Sequence, residues 1–183
     1  MSRIPTPATI ADAPAASQPL LEGVKARLGV APNMFRLIAN SPQALQAYLA
    51  IGDALGKGAL PPATRERIAL AVAELNSCDY CLSAHTYMGK NLAKLDDAEI
   101  TANRSGASND TKADVAVRFA AKLVRDRGQA SDADISALRA AGYTVAQVLE
   151  IILHDALNTF TNYVNEALKT EIDFPVVTAR LAA

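Results

Sequence analysis

Tryptophan is absent from this chain of 183 residues, and four phenylalanines and five tyrosines are its only aromatic residues. Sheet-rich folds draw on aromatic and β-branched side chains, so an alanine-rich chain poor in both aromatic types points instead to close-packed helices. Charge of one sign is also missing. The formal net charge is −1, too small to gather phosphates or an anionic lipid surface, and neither a nucleic acid nor a membrane is expected as a partner. No apolar run approaches the roughly 20 residues that span a bilayer. The opening Met1-Ser2-Arg3-Ile4-Pro5 lacks the charged start and apolar stretch of a signal peptide, so a cytoplasmic location is expected. Cysteine is scarce too, with two residues, Cys78 and Cys81, in the whole chain. A disulfide between them would close too short a loop to constrain the unfolded chain much. In a reducing compartment such a pair points to redox or metal chemistry rather than to a staple.

What is present is an ordinary balance for a globular protein, 50% hydrophobic and 20% charged, at a length suited to one core. Pro5, Pro7, Pro14 and Pro19 mark residues 1–19 as an extended, mobile arm, and residues 20–183 read as one helical domain. Leu20, Leu21, Val24 and Leu28 recur at helical spacing before a stop at Gly29. Ser41-Pro42 is an N-cap followed by proline at the first helical position, and Pro61-Pro62 opens a mostly buried helix through Ile68, Leu70 and Val72. Ser77 is placed to cap the next helix, which runs to about Leu92. Asp96, Asp110, Ser131 and Thr144 introduce further helices, the last two with capping-box partners Asp134 and Gln147. The long final helix carries Val148, Ile151, Ile152, Leu157, Phe160 and Val164, and Phe174-Pro175-Val176-Val177 reads as a tail packed on the body or on a neighbouring subunit. No strand alternation of useful length occurs, so the expected class is all-α, a compact single-domain bundle of seven to nine helices.

The informative stretch is Arg65-Glu66 followed by Asn76-Ser77-Cys78-Asp79-Tyr80-Cys81-Leu82-Ser83-Ala84-His85. On a helix that starts at Ser77, Cys81 lies one turn beyond Cys78 and His85 one turn beyond Cys81, so the three share a face. A thiol at a helix N-terminus meets free N–H groups that favour thiolate, which makes Cys78 the expected exposed, reactive member. His85 titrates near neutrality and can move a proton to or from sulfur or oxygen. Glu66 can orient that imidazole if the two helices pack closely enough. Other readings stand beside this one: two buried apolar cysteines, a redox sensor without turnover, or a zinc site with Cys78, Cys81, His85 and Glu66 as ligands, although the chain lacks a second cysteine pair. His154 reads as a satisfied core or interface histidine. Tyr48, Tyr87 and Tyr163 read as core aromatics.

The spacing Arg65-Glu66, eleven residues, then Cys78-X-Tyr80-Cys81-X-X-X-His85 resembles the core motif of the alkylhydroperoxidase D and carboxymuconolactone decarboxylase superfamily. Weaker similarity extends to Ala31 through Phe35, to Asn158 through Asn162 and to Asp173-Phe174-Pro175, as in its peroxidase-related branch. The resemblance implies an all-α fold and assembly into a homo-oligomer, whether trimer, hexamer or dimer. It also implies reduction of a hydroperoxide substrate, with electrons from a dithiol donor of lipoyl or thioredoxin-like type and with no cofactor. On it Glu66 and His85 match the proton relay, Cys81 the peroxide-attacking cysteine and Cys78 the resolving one. Alkylhydroperoxidase D has a histidine where this chain has Tyr80, and tyrosine is no neutral-pH base. The decarboxylase branch lacks the cysteine pair, which makes lactone decarboxylation the weaker alternative.

Overall fold

The computed structural model describes residues 2–180, and among these it contains helices and turns without strands. Nine α-helices follow in order: α1 (Gln18–Leu28), α2 (Asn33–Ile38), α3 (Pro42–Gly56), α4 (Pro62–Leu75), α5 (Asp79–Asn91), α6 (Asp97–Arg104), α7 (Thr111–Arg125), α8 (Asp132–Ala140) and α9 (Val145–Leu168). The chemistry of their ends follows the sequence closely. Ser41, Asp96, Asp110, Ser131 and Thr144 each accept a backbone N–H from the first turn of α3, α6, α7, α8 and α9, satisfying donors that have no partner within the helix. Gly29 closes α1 at φ 83°, a left-handed conformation that costs glycine little. No single helix among the described residues is long and apolar enough to cross a membrane.

The bundle is organised around α4. From Ile68 to Ala73 every residue of this helix is buried, because α5, α6, α7 and α9 all pack against it. Its two sides serve two apolar clusters. Ile68, Ala71 and Val72 meet Ala116, Val117, Ala120 and Leu123 of α7 together with Val148 and Ile151 of α9. The small residues let the two backbones approach closely, and each fully buried Ile or Val contributes about 1.5–3 kcal/mol. Leu70 and Ala73 face the other cluster, with Leu21, Ile38, Leu45, Tyr80, Leu82 and both cysteines. The cysteine pair is thus set into a core, next to the most buried helix.

Both ends of the chain are tied to this body. The segment read as an extended arm forms two short 3-10 turns, Ile10–Asp12 and Ala15–Ser17. It is held by Arg3 N–H donating to Leu168 O at 2.7 Å, by Asn40 Nδ2 donating to Pro5 O at 2.9 Å, and by the buried Ser17 hydroxyl donating to Ala39 O at 2.6 Å. The C-terminal strap packs on its own chain: Val177 N–H donates to Ser83 Oγ at 2.9 Å, Ala179 N–H to Asp79 Oδ1 at 2.8 Å and Arg180 N–H to Glu74 Oε1 at 2.7 Å. It covers the start of α5, where the cysteines are.

One local expectation needs correction. Ser77 does not cap α5; it turns the chain at φ 53°, in the left-handed region. Cys78 is the N-cap, with extended dihedrals and a sulfur that accepts the N–H of Cys81 at 3.3 Å. The tight connection from α4 needs one residue of positive φ, and that residue cannot also supply the extended conformation of a cap.

Candidate active site

The four residues singled out in the sequence do converge. The sulfurs of Cys78 and Cys81 are 2.6 Å apart, both cysteines being free. His85, one turn along α5, turns Nδ1 to Glu66 Oε2 of α4 at 2.8 Å. The reach that the sequence left open is thus supplied by the close packing of α4 on α5. Among the described residues no group of three or more His, Cys, Asp or Glu side chains is arranged to hold a metal ion.

The two thiols are not equivalent, and the asymmetry is the reverse of the one expected from the helix terminus. Cys78 is 0% exposed and Cys81 3%, but Cys81 lies on the wall of a cavity that Cys78 does not line. As N-cap, Cys78 is drawn beneath the first turn of α5 and spends its lone pair on a backbone N–H. Its thiol proton points at Cys81, and that hydrogen bond, with burial behind it, pushes the Cys78 thiol up. Burial also opposes a Cys81 thiolate, but this is outweighed by the hydrogen bonds of Cys78 and Asn165 to its sulfur and by the charge of His85. The net effect holds Cys81 below the ordinary thiol range. As the sulfurs share a proton, their titration belongs to the pair, and its first proton leaves from Cys81. At His85 burial works against the imidazolium, but the Glu66 carboxylate more than offsets it and raises the ring's pKa above its usual value.

The far wall comes from α9 and was only partly seen in the sequence. Asn165 Nδ2 donates to Cys81 Sγ at 3.2 Å, and Asn162, next to the same sulfur, accepts from Asn76 Nδ2 at 2.9 Å. Asn158 stands beside His85 and donates to His154 O at 2.8 Å. His154, Asn158, Asn162 and Asn165 are all buried. Their spacing, i, i+4, i+8 and i+11, places them on one face of the helix. Three asparagines at helical spacing on an otherwise apolar helix were the signal available, since such amides are rarely buried without a partner.

Tyr80, at the position of the extra histidine in alkylhydroperoxidase D, is a fastener. Its hydroxyl donates to Asp173 Oδ1 at 2.8 Å and accepts Met34 N–H at 3.2 Å, and its ring meets Phe174 edge-on at 5.8 Å. Burial pushes the phenol further above its ordinary pKa, so it stays neutral while tying α2 and the C-terminal strap to α5. Of the other tyrosines, Tyr48 lines the cavity and packs edge-on against Phe35 at 5.6 Å, while Tyr87 and Tyr163 are exposed rather than core. The cavity itself measures about 450 Å³, with apolar walls that include Met34, Phe35, Tyr48 and Leu157; Cys81, His85, Glu66 and His154 are among its polar groups, and the charged Arg27, Asp53 and Arg65 also line it.

The model of the carboxymuconolactone decarboxylase family matches residues 42–122, the span from α3 through α7 that holds the cysteines, His85 and Glu66. A peroxidase-related protein from Silicibacter sp. has the same fold with a TM-score of 0.80 and 27% identity, over 93% of this chain and 91% of that one. A second, from Ralstonia eutropha, described as an alkylhydroperoxidase AhpD core, gives a TM-score of 0.83 and 25% identity over 94% and 92%. In the matched span and in these two folds the chain is similar to the alkylhydroperoxidase D and carboxymuconolactone decarboxylase superfamily and to its peroxidase-related proteins. An uncharacterized protein of Haemophilus influenzae is 53% identical over 45 residues, a stretch that spans 24% of this chain and 40% of that relative's length. The debrominase Bmp8, solved with 2,3,4-tribromopyrrole, shares the fold alone, at a TM-score of 0.78 and 20% identity over 94% of each chain. The superfamily is one of enzymes, and its fold carries more than one chemistry.

Proposed function

We propose that the chain is a thiol-dependent hydroperoxide reductase in which Cys81 attacks the peroxide, Cys78 resolves the product, and His85 with Glu66 moves the protons. The observation that carries this reading is the environment of Cys81. It is the one cysteine on the cavity wall, its sulfur receives hydrogen bonds from Cys78 and Asn165, and a Glu-paired imidazole lies one helical turn away. These features favour thiolate at a place where substrate can enter.

The Cys81 thiolate attacks the terminal peroxide oxygen, an S–O bond forms as the O–O bond breaks, and the departing alkoxide takes its proton from the His85–Glu66 pair to leave as alcohol. Cys78 then attacks the sulfenic sulfur, the S–S bond forms as the S–O bond breaks, and the oxygen leaves as water. An external dithiol reduces the disulfide by exchange and becomes a disulfide itself. Both sulfurs are covered by protein, and the way to them is the cavity at Cys81. A slender lipoyl-type dithiol suits that route better than the bulk of a thioredoxin-like protein.

The test is a thiol titration before and after a substoichiometric pulse of hydroperoxide. Two thiols lost per peroxide, recovered on adding a dithiol, is the expected result; thiols that remain fully titratable would overturn the reading. Homo-oligomeric assembly is proposed alongside, supported by the exposed apolar stripe of Val145, Leu149, Ile152, Leu153, Phe160 and Tyr163 along α9. Light scattering tests it, with a monomer as the contrary outcome.

A further inference from the structure

Two amides of α9 are placed to tell a thiolate from a disulfide. Asn165 Nδ2 donates to Cys81 Sγ at 3.2 Å. Asn162 reaches the same sulfur from one turn earlier, and its orientation is set from outside α9: Asn76, which closes α4, donates its Nδ2 to Asn162 Oδ1 at 2.9 Å. With the carbonyl end so engaged, the Nδ2 end is left to the sulfur, and no oxygen among the described residues takes it up. Asn162 is 0% exposed and Asn165 2%, so water does not serve in place of the sulfur. A neutral sulfur, in a thiol or a disulfide, is a weak acceptor, whereas a thiolate is a charged one and makes hydrogen bonds about twice as strong. Buried donors aimed at it therefore favour one redox state of the pair. Cys81 loses its proton at about 7, so near neutrality the reduced pair supplies that thiolate.

We propose that Asn162 and Asn165 form an amide clasp on Cys81 Sγ that stabilises the reduced pair against its disulfide, with Asn76 as the positioning residue, and so makes Cys78–Cys81 an oxidising couple that yields readily to its donor. The inference rests on the hydroperoxide reading only for what oxidises the pair, and adds how the pair is recharged. On reduction the S–S bond breaks and two electrons arrive from a dithiol, which becomes a disulfide. One of its protons goes to Cys78 and the other to solvent, leaving the Cys81 sulfur as the thiolate that the amides hold. Oxidation reverses this and strands both N–H donors. A couple whose reduced form is stabilised in this manner has a raised reduction potential.

The experiment oxidises the full chain with diamide, equilibrates it in glutathione redox buffers and reads the reduced fraction by alkylation and intact mass. Asn165→Leu should make the disulfide about tenfold harder to reduce, a shift of about 30 mV. Asn162→Leu should act in the same direction, and Asn76→Leu should follow it with a smaller shift. Asn103→Leu removes a buried amide that donates to Glu99 Oε1 and Ala107 O rather than to sulfur, and it should leave the equilibrium unchanged. Equal equilibria in wild type and Asn165→Leu, or a shift as large in Asn103→Leu, would overturn the proposal. Wild type alone gives a second reading that depends on no variant. In denaturant unfolding the reduced chain should be more stable than the diamide-oxidised one, and an oxidised chain of equal or greater stability would overturn the clasp. A disulfide formed by diamide but not by any hydroperoxide would overturn the hydroperoxide reading alone.

Discussion

Two buried polar regions lie on either side of α4, and they are finished in different ways. Around Glu99 of α6 the carboxylate is saturated: Oε1 accepts from Arg67 at 2.6 Å, Asn103 at 2.9 Å and Ser108 at 2.5 Å, and Oε2 accepts Asn109 N–H at 2.7 Å. One acceptor of the cluster, Asn103 Oδ1, is left over. Along α9 the opposite holds, and His154 Nε2, Asp155 Oδ1, Asn162 Nδ2 and Asn165 Oδ1 are all buried without partners. A carboxylate that gains four hydrogen bonds locks a loop in place. Of the α9 amides, Asn165 donates to the Cys81 sulfur and Asn162 accepts from Asn76 at the end of α4, so that face is committed to a thiol and a neighbouring helix rather than to closing a loop. The contrast separates a region that locks a loop from the region in which the proposed chemistry is set.

If the contrast is sound, substitutions in the two regions should affect different measurements. The largest effect is expected from Cys81→Ser, which should cut peroxide turnover with a dithiol by about a thousandfold or more and leave the thermal midpoint close to wild type. Next comes Glu99→Gln, expected to cost about 3 kcal/mol in denaturant unfolding because it leaves Arg67 buried beside a neutral amide, with thiol oxidation unaffected. Glu66→Gln should slow peroxide reduction about a hundredfold, as His85 loses the carboxylate that raises its pKa.

The dependence of stability on pH should separate the regions again, with opposite signs. Burial alone would raise the Glu99 carboxyl, but its hydrogen bonds from Ser108, Asn103, Asn109 and Arg67 prevail and hold it at about 2, below its ordinary value of 4.5. Its contribution is therefore present above pH 4.5 and lost as pH falls from there toward 2. Burial of Asp155, which has no compensating partner, raises its carboxyl from 3.8 to about 7. Its ionisation then costs stability increasingly as pH rises from about 4 to 7, so Asp155→Asn should stabilise by about 2 kcal/mol at pH 8 and by almost nothing at pH 4. The smallest effect is expected at Gly58, where an added Cβ would come within 2.8 Å of the Glu150 carboxylate. That carboxylate accepts the N–H groups of Ala59 and Leu60 at 2.9–3.0 Å. Gly58→Ala should displace it and cost about 1 kcal/mol in the same unfolding assay.

The legible parts of the molecule were those decided within a few residues. Ser41-Pro42, Asp110, Ser131 with Asp134 and Thr144 with Gln147 each announce a helix start, because the cap and the N–H groups it satisfies are neighbours in sequence. The error at Ser77 is of the same local kind. Cysteine is not an expected cap, and the positive φ of Ser77 comes from the tight connection between α4 and α5 rather than from its own side chain. The Glu66–His85 contact was legible as a candidate but not as a distance, because nineteen positions separate the two and the packing of two helices decides whether they meet. The α9 wall lay further out of reach. Asn158, Asn162 and Asn165 show a helical face in the sequence, but nothing local says that this face lies against Cys81, and without the cavity His154 reads as one more core histidine.

Cys81, not Cys78, is the cysteine expected to meet the peroxide. The two thiols are told apart by treating Cys78→Ser and Cys81→Ser with one equivalent of hydroperoxide in the presence of a sulfenic-acid trap and measuring the mass of each intact protein. Cys78→Ser should carry the trapped adduct at Cys81 while Cys81→Ser stays unmodified; an adduct on Cys78 in the Cys81→Ser protein, with none on Cys81 in its counterpart, would reverse the assignment.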